Sequence, residues 1–172
     1  MGSPIFVDPR VSDSWIGFLI APAVSHTDMY SEILVPTDGS PASDAAIKHA
    51  VDLAEKYDAR LHALYVVDGA AYSSLEAGAE IVVEALESEG EKATRRVVEA
   101  AADVGVDCVT DVTSGTAYQS IHDYVDEHDI DVVVMGTHGR QGLHRYLLGS
   151  VTERVVRTSD VPVLTVRQSK DA

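Results

Sequence analysis

The sequence has only one cysteine, Cys108, in 172 residues. A single thiol can form neither an internal disulfide nor a cluster of thiolate ligands, which excludes a disulfide scaffold and a multi-cysteine metal site. Cys108 lies in the alternating run VDCV at residues 106–109, where the ordinary role of cysteine is that of a small buried apolar side chain. We therefore assign it no function.

Basic residues are also scarce, since 13 lysines and arginines stand against 28 acidic residues and give a formal net charge of −15. Such a field repels nucleic acid and anionic membranes, so we expect neither as a partner. An anionic ligand must then be held locally by backbone N–H groups, helix dipoles or a metal ion. Only four of the basic residues are lysines. An acidic, lysine-poor chain is typical of halophilic proteins, because salt screens self-repulsion, and the plain alternative is an acidic bacterial protein.

No apolar run is long enough to cross a bilayer. The run at residues 15–24, WIGFLIAPAV, falls short of the roughly 20 apolar residues that a spanning helix needs, and Pro22 interrupts it. Residues 21–23 loosely resemble a signal-peptide cleavage site, but the segment before the run carries no excess of positive charge, which disfavours secretion. We therefore expect a cytoplasmic protein.

Residues 1–28 differ in composition from the rest of the chain, because they hold three of the six prolines and the only tryptophan. Met29 stands directly before the first predicted strand. We expect residues 1–28 to be a disordered extension or upstream read-through, residues 29–168 to form one domain, and residues 169–172 to be a tail. A partner-binding segment is the functional alternative for residues 1–28.

From Tyr30 onward, short apolar runs alternate with patterns of helical period. The predicted strands are residues 32–37, 61–67, 106–112, 131–136 and 161–166. The predicted helices are residues 41–57 (capped by Ser40), 116–128 and 150–158, and roughly residues 73–104 form a segment of loop and long helix. This order predicts an α/β fold, a three-layer, doubly wound, five-stranded parallel sheet of Rossmann-like type. The fourth strand is the most apolar and belongs near the centre, whereas the third alternates and belongs nearer an edge.

The segment after the fourth strand, residues 136–153, reads GTHGRQGLHRYLLGSVTE. Gly136 and Gly139 lack Cβ atoms where the chain leaves the sheet, which permits unusual φ values and close approach of a phosphate. Gly149 and Ser150 then open a helix, whose free N–H groups and positive dipole end form an anion site. Ligands of doubly wound sheets bind at the carboxyl ends of the strands, which is where this segment lies.

Two common phosphate-binding motifs are missing from this segment and from the first turn. A P-loop requires a lysine directly before its Ser or Thr, and Gly149 precedes Ser150 instead. The dinucleotide fingerprint requires two glycines one residue apart after the first strand, and the chain has no such pair there.

The spacing Gly136-x2-Gly139-x9-Gly149-Ser150 resembles the G-2x-G-9x-G-(S/T) signature of ATP-binding universal stress proteins. The run VPTDGS at residues 35–40, the run VVD at residues 66–68 and the run VPVLTV at residues 161–166 are also similar to that family. The resemblance covers residues 30–167, essentially the whole predicted domain, and it implies a fold of the adenine-nucleotide-binding type.

The resemblance implies an adenine-nucleotide site, with ATP, ADP or AMP as ligand and Mg²⁺ or Mn²⁺ on the phosphates. Val66 would meet the adenine through its main chain, and Asp38 would lie near the ribose or the metal. The implied nucleotide-binding residues are Pro36, Thr37, Asp38, Val66, Gly136, His138, Gly139, Arg140, Gly149, Ser150 and Val151. It also implies a regulatory role in the stress response and a homodimer that forms through the last strand, near residues 163–166.

Purely structural roles remain open for several of these residues. Ser150 and Glu153 have the spacing of a capping box, and Asp38 suits an ordinary turn. Surface or core positions are the expectation for every histidine except His138. A hydrolase triad of Ser150, His138 and Asp38 is disfavoured because the Gly-x-Ser-x-Gly elbow is missing. A slow ATPase or nucleotidyl-transferring enzyme with the same pocket, and a dimeric interaction module without nucleotide, are the competing functions.

Overall fold

The computed structural model describes residues 29–68, 79–137 and 148–168. Within these ranges the strands and helices follow the predicted order. They are β1 (Glu32–Pro36), α1 (Pro41–Tyr57), β2 (Arg60–Val67), α2 (Ala79–Ala102), β3 (Cys108–Ser114), α3 (Ala117–Glu127), β4 (Val132–Gly136), α4 (Ser150–Thr158) and β5 (Val163–Val166). No helix among the described residues is both long and apolar enough to span a bilayer.

The five strands form one sheet in the order β3-β2-β1-β4-β5, and every neighbouring pair is parallel. The predicted doubly wound α/β fold is therefore confirmed. All five residues of β4 are buried, and the strand lies inside the sheet between β1 and β5, as its apolar run predicted. The alternating strand β3 is an edge strand, which was also predicted.

The helices cover both faces of the sheet because successive side chains of each strand point to opposite sides. Ile33 and Val35 of β1 pack with α1 and α2 on one face, whereas Leu34 packs with α3 and α4 on the other. All three side chains are fully buried. Each such burial contributes about 1.5–3 kcal/mol, so the central strand stabilises both layers at once.

The beginning of α1 has the predicted capping pattern. Ser40 is the N-cap and accepts a hydrogen bond from the Ser43 amide at 3.3 Å, and Pro41 occupies the first helical position. The turn between β1 and α1 contains Gly39 at φ +75°, a left-handed conformation in which glycine is strongly favoured. Local sequence therefore fixes where the chain leaves β1 and enters α1.

Two strands begin two residues later than predicted. β3 begins at Cys108 rather than at residue 106, because Val104 and Gly105 turn back onto the end of α2 and Gly105 adopts φ +77°. β5 begins at Val163 rather than at residue 161. Cys108 is half-buried against the core on the α1 side of the sheet, and burial together with Asp107 raises its pKa to about 11.

A buried polar chain joins β1, β2 and α3 near the amino ends of the strands. His62 is 4% exposed, and its Nε2 lies 2.6 Å from Glu32 Oε2 while its Nδ1 lies 3.0 Å from the Tyr124 hydroxyl. The expected core placement of a histidine is thus confirmed here. Burial raises the pKa of Tyr124 to about 12, and negative charge at Asp111, Cys108 and Glu32 adds to the shift.

The raised pKa of Tyr124 predicts a loss of stability in alkali. The unfolded tyrosine ionises from about pH 10, and the folded one only near pH 12, so the free energy of unfolding falls through that window. Tyr124→Phe should show a shallower decline between pH 10 and 11 in urea unfolding, whereas Tyr118→Phe on the same helix should keep the wild-type slope. Equal slopes for Tyr124→Phe and the wild type would contradict this assignment.

The end of β4 touches the first turn of α1 very closely. A Cβ atom on Gly136 would lie 2.8 Å from both the carbonyl carbon and the carbonyl oxygen of Ala42. Among the described glycines, Gly39 and Gly105 have a positive φ, whereas Gly136 does not. Gly136 therefore does not use the unusual φ that a glycine permits, and contact with the α1 backbone explains why this position has no side chain.

Gly136→Ala should destabilise the protein by about 1–3 kcal/mol, because backbone atoms cannot move aside as a flexible side chain can. Gly115→Ala is the matched control, since its new Cβ would meet only the Ser120 hydroxyl at 2.9 Å, which can rotate away. Urea unfolding of both variants measures the difference. A Gly136→Ala variant as stable as Gly115→Ala would refute the steric explanation.

Candidate functional site

The winding of the sheet reverses between β1 and β4. The chain moves outward from β1 to β2 and β3, then crosses back over β1 to β4 and continues to β5. The ladder between β1 and β4 pairs Ile33 with Val132 and Leu34 with Val133, and both strands continue beyond it toward their carboxyl ends. A crevice at this switch point is where doubly wound sheets bind their ligands.

The turn after β1 forms one wall of this crevice. The Thr37 amide donates to the Leu64 carbonyl at 2.8 Å, which keeps the turn attached to β2. Asp38 Oδ1 accepts a hydrogen bond from the Ser40 amide at 3.0 Å, and Thr37 Oγ1 accepts one from the Gly39 amide at 3.2 Å. Asp38 therefore has the turn-forming role that the sequence left open. It also lies just after the end of β1, where the family resemblance places it.

Val66 lies near the end of β2, on the side of the crevice. The main-chain groups of successive residues in a strand point alternately to its two neighbouring strands. The Leu64 carbonyl faces β1, whereas the Val67 carbonyl faces β3 and accepts a hydrogen bond from the amide of Gly115, the residue after β3. Val66 therefore directs its N–H and C=O toward the β1 side, past the bond from Thr37.

The opposite wall is the first turn of α4. Gly149 is the N-cap residue, its amide donates to the Thr137 carbonyl at 2.8 Å, and its own carbonyl accepts from the Glu153 amide at 2.8 Å. Ser150 is exposed and is the first helical residue, and α4 has no side-chain cap. The capping box proposed for Ser150 and Glu153 is therefore wrong, because the cap position belongs to Gly149.

The first turn of α4 leaves backbone donors available. The helical hydrogen-bond ladder begins at the Glu153 amide, so the amides of Ser150, Val151 and Thr152 have no acceptor within the helix. These donors carry the positive end of the helix dipole. The side-chain hydroxyl of Thr152 meanwhile donates to the Gly136 carbonyl at 2.8 Å, which ties the turn to the end of β4.

The structure thus brings several predicted residues to one end of the sheet. Pro36, Thr37, Asp38, Val66, Gly136, Gly149, Ser150 and Val151 all lie at the carboxyl ends of β1, β2 and β4 or at the start of α4. His138, Gly139 and Arg140 lie outside the described residues, so their assignment stays a prediction. In the described part of the chain, no group of three or more His, Cys, Asp or Glu side chains is placed to hold a metal ion.

Sequence reasoning missed three residues that shape this end of the sheet. Ser43 is buried and accepts a hydrogen bond from Thr37 Oγ1 at 3.2 Å, and its own hydroxyl donates to the Ser40 carbonyl at 2.8 Å. Ala42 packs on Gly136, and Thr152 is bonded to the carbonyl of Gly136. For Ser43 and Thr152 the available signal was a polar residue on the inward stripe of an amphipathic helix, within its first turn.

Comparison with known proteins places the chain in a family. A family model described as the universal stress protein family matches residues 29–167. Universal stress protein MJ0531 of Methanocaldococcus jannaschii is 39% identical over 145 residues, which cover 83% of this chain and 85% of that protein.

Solved structures share the fold. Universal stress protein UspA from Lactobacillus plantarum is 34% identical, with a TM-score of 0.71 over 80% of this chain and 98% of that one. A universal stress protein in complex with cAMP is 25% identical, with a TM-score of 0.61 over 82% of this chain and 99% of that one. The match over residues 29–167, the identity to MJ0531 and the shared sheet together establish that the chain belongs to the universal stress protein family.

Proposed function

We propose that this protein binds an adenine nucleotide, ATP or its product ADP or AMP, in the crevice between β1 and β4. The observation that carries the proposal is the first turn of α4, which is bonded at two points to the end of β4 and whose amides at Ser150 and Val151 have no acceptor within the helix. The cAMP complex of a family member supports an adenine nucleotide as the ligand class.

The two walls suit different parts of the nucleotide. The main chain of Val66 would recognise the adenine, and the turn at Thr37 and Asp38 would contact the ribose. The amides of Ser150 and Val151 would bind phosphate oxygens, since helix N-termini favour anions. His138, Gly139 and Arg140 would complete the phosphate contacts from the segment between Gly136 and Gly149.

Local donors matter because the whole protein carries a formal net charge of −15. Around the described crevice the charged side chains include Asp38 and Asp68, which disfavour a naked triphosphate. We propose Mg²⁺ or Mn²⁺ as the counter-ion of the phosphates, with Asp38 as a candidate protein ligand. When bound, such an ion would neutralise phosphate charge, and binding would strengthen with the metal concentration.

We further propose that nucleotide binding is regulatory and takes place in the cytoplasm. Binding at residues 136–150 would change a surface that partners contact. We expect any hydrolysis to be slow, because the sequence supplies neither a dedicated base nor an arginine finger other than Arg140 or Arg145.

Gly149→Val should weaken binding of magnesium ATP at least tenfold, because branched methyl groups would occupy the space through which the phosphates reach the α4 amides. The backbone of Gly149, at φ −61° and ψ 150°, is accessible to valine, so the thermal unfolding midpoint should change little. Isothermal titration in high salt measures the affinity, and thermal unfolding is the control for folding.

Three results bear on the proposed function. A wild-type protein that binds neither ATP, ADP nor AMP with magnesium or manganese would reject it. A folded Gly149→Val variant with unchanged affinity for ATP would show that the phosphates do not bind at the first turn of α4. Single-turnover analysis that detects rapid formation of ADP would replace the regulatory role with that of an enzyme.

We also propose a homodimer that forms through β5. Among the described strands β5 is an edge, so main-chain groups on its outer side can pair with those of a second copy. Its Leu164 side chain is 43% exposed and would add an apolar contact. Val109 on the opposite edge strand β3 is 38% exposed and offers a matched surface for comparison.

Leu164→Glu should convert the dimer to a monomer, because it buries unpaired carboxylates in an apolar contact, and this desolvation cost persists in high salt. Val109→Glu should leave the dimer intact. Sedimentation equilibrium at molar salt, where charge repulsion between copies is screened, distinguishes the two. A monomeric wild type, or equal association by both variants, would contradict the proposed interface.

A further inference from the structure

We infer that Thr152 is a positioning residue of the nucleotide site, acting through the backbone that binds phosphate rather than by touching the ligand. This inference rests on the proposed function. Thr152 is 4% exposed, and its hydroxyl donates to the Gly136 carbonyl at 2.8 Å across 16 residues of sequence. Neither residue 152 nor its hydroxyl belongs to the glycine-spaced signature.

The hydrogen bond from Thr152 is one of a pair that closes the segment between β4 and α4. The second joins the Gly149 amide to the Thr137 carbonyl at 2.8 Å. Two consecutive carbonyls at the end of β4, those of Gly136 and Thr137, therefore accept from the first turn of α4. The pair therefore restrains the first turn of α4 at two points, in addition to the packing of Val155 in the core.

The direction of the α4 axis determines where the phosphate donors lie. The amides of Ser150 and Val151 are on the same helical turn as Thr152, so a rotation of this turn moves them together. Preorganised donors bind an anion more tightly than donors that must be ordered on binding. Thr152 thus orients the amides of Ser150 and Val151. Its own hydroxyl donates to the Gly136 carbonyl and so does not bind the phosphate.

A purely structural role for Thr152 would have a different consequence. Thr94 in α2 is also buried, and its hydroxyl likewise donates to a glycine carbonyl, that of Gly90, at 3.0 Å. That bond lies within one helix and does not join two elements. Thr94 is therefore a matched control for the loss of a buried threonine hydroxyl without loss of the link between β4 and α4.

The test compares Thr152→Val, Thr152→Ser and Thr94→Val with the wild type, using magnesium ATP and adenosine as ligands in isothermal titration. Valine keeps the shape of threonine and removes the hydroxyl. Thr152→Val should weaken ATP about tenfold, the effect of losing one buried hydrogen bond, and should leave adenosine within about twofold. Thr152→Ser should restore ATP affinity, and Thr94→Val should change neither ligand.

Adenosine separates positioning from general damage, because it lacks phosphate and would not contact α4. Equal weakening of ATP and adenosine by Thr152→Val would overturn the inference, as would unchanged ATP affinity or failure of Thr152→Ser to restore it. If Thr152→Val does not fold, Thr152→Ala is measured with both ligands against the same criteria. A wild type that binds neither ligand would reject the proposed function itself, and the inference with it.

Discussion

The structure depends on the contact between the end of β4 and the first turn of α4. Here the chain leaves the sheet at Gly136, returns at Gly149, and is held closed by bonds to two consecutive carbonyls. Ala42 presses against Gly136 from the other side, so α1 and α4 meet the same strand end. Backbone packing and hydrogen bonds therefore set the positions of α1 and α4 at this end of the sheet.

This constraint explains how so acidic a protein could hold a nucleotide. Side-chain cations are few, and among the described residues Arg154 stacks on the Tyr118 ring at 4.2 Å while Arg157 pairs with Glu153. Backbone amides add no net charge to the molecule and are directed by the fold, so they bind anions without changing the acidic surface. The same reasoning favours a divalent cation as the partner of the phosphates.

The fold was predictable because its strands and helices have distinct apolar periods. The continuous apolar run of β4 placed it inside the sheet, and the alternating pattern of β3 placed it at an edge. The helix start at Ser150 and the cap at Ser40 were also predictable from local chemistry. The roles of Gly136 and Thr152 were not, because each depends on a residue far away in sequence, Ala42 in one case and Gly136 in the other. The capping box at Ser150 failed for a related reason, since a tertiary bond to Thr137 fixes Gly149 as the cap.

The most direct test of the account is a crystal structure of the protein grown with excess magnesium ATP. The account predicts phosphate oxygens within about 2.7–3.2 Å of the Ser150 and Val151 amide nitrogens, and adenine against the main chain of Val66. A nucleotide bound elsewhere, or a crevice filled by the protein's own side chains, would contradict it.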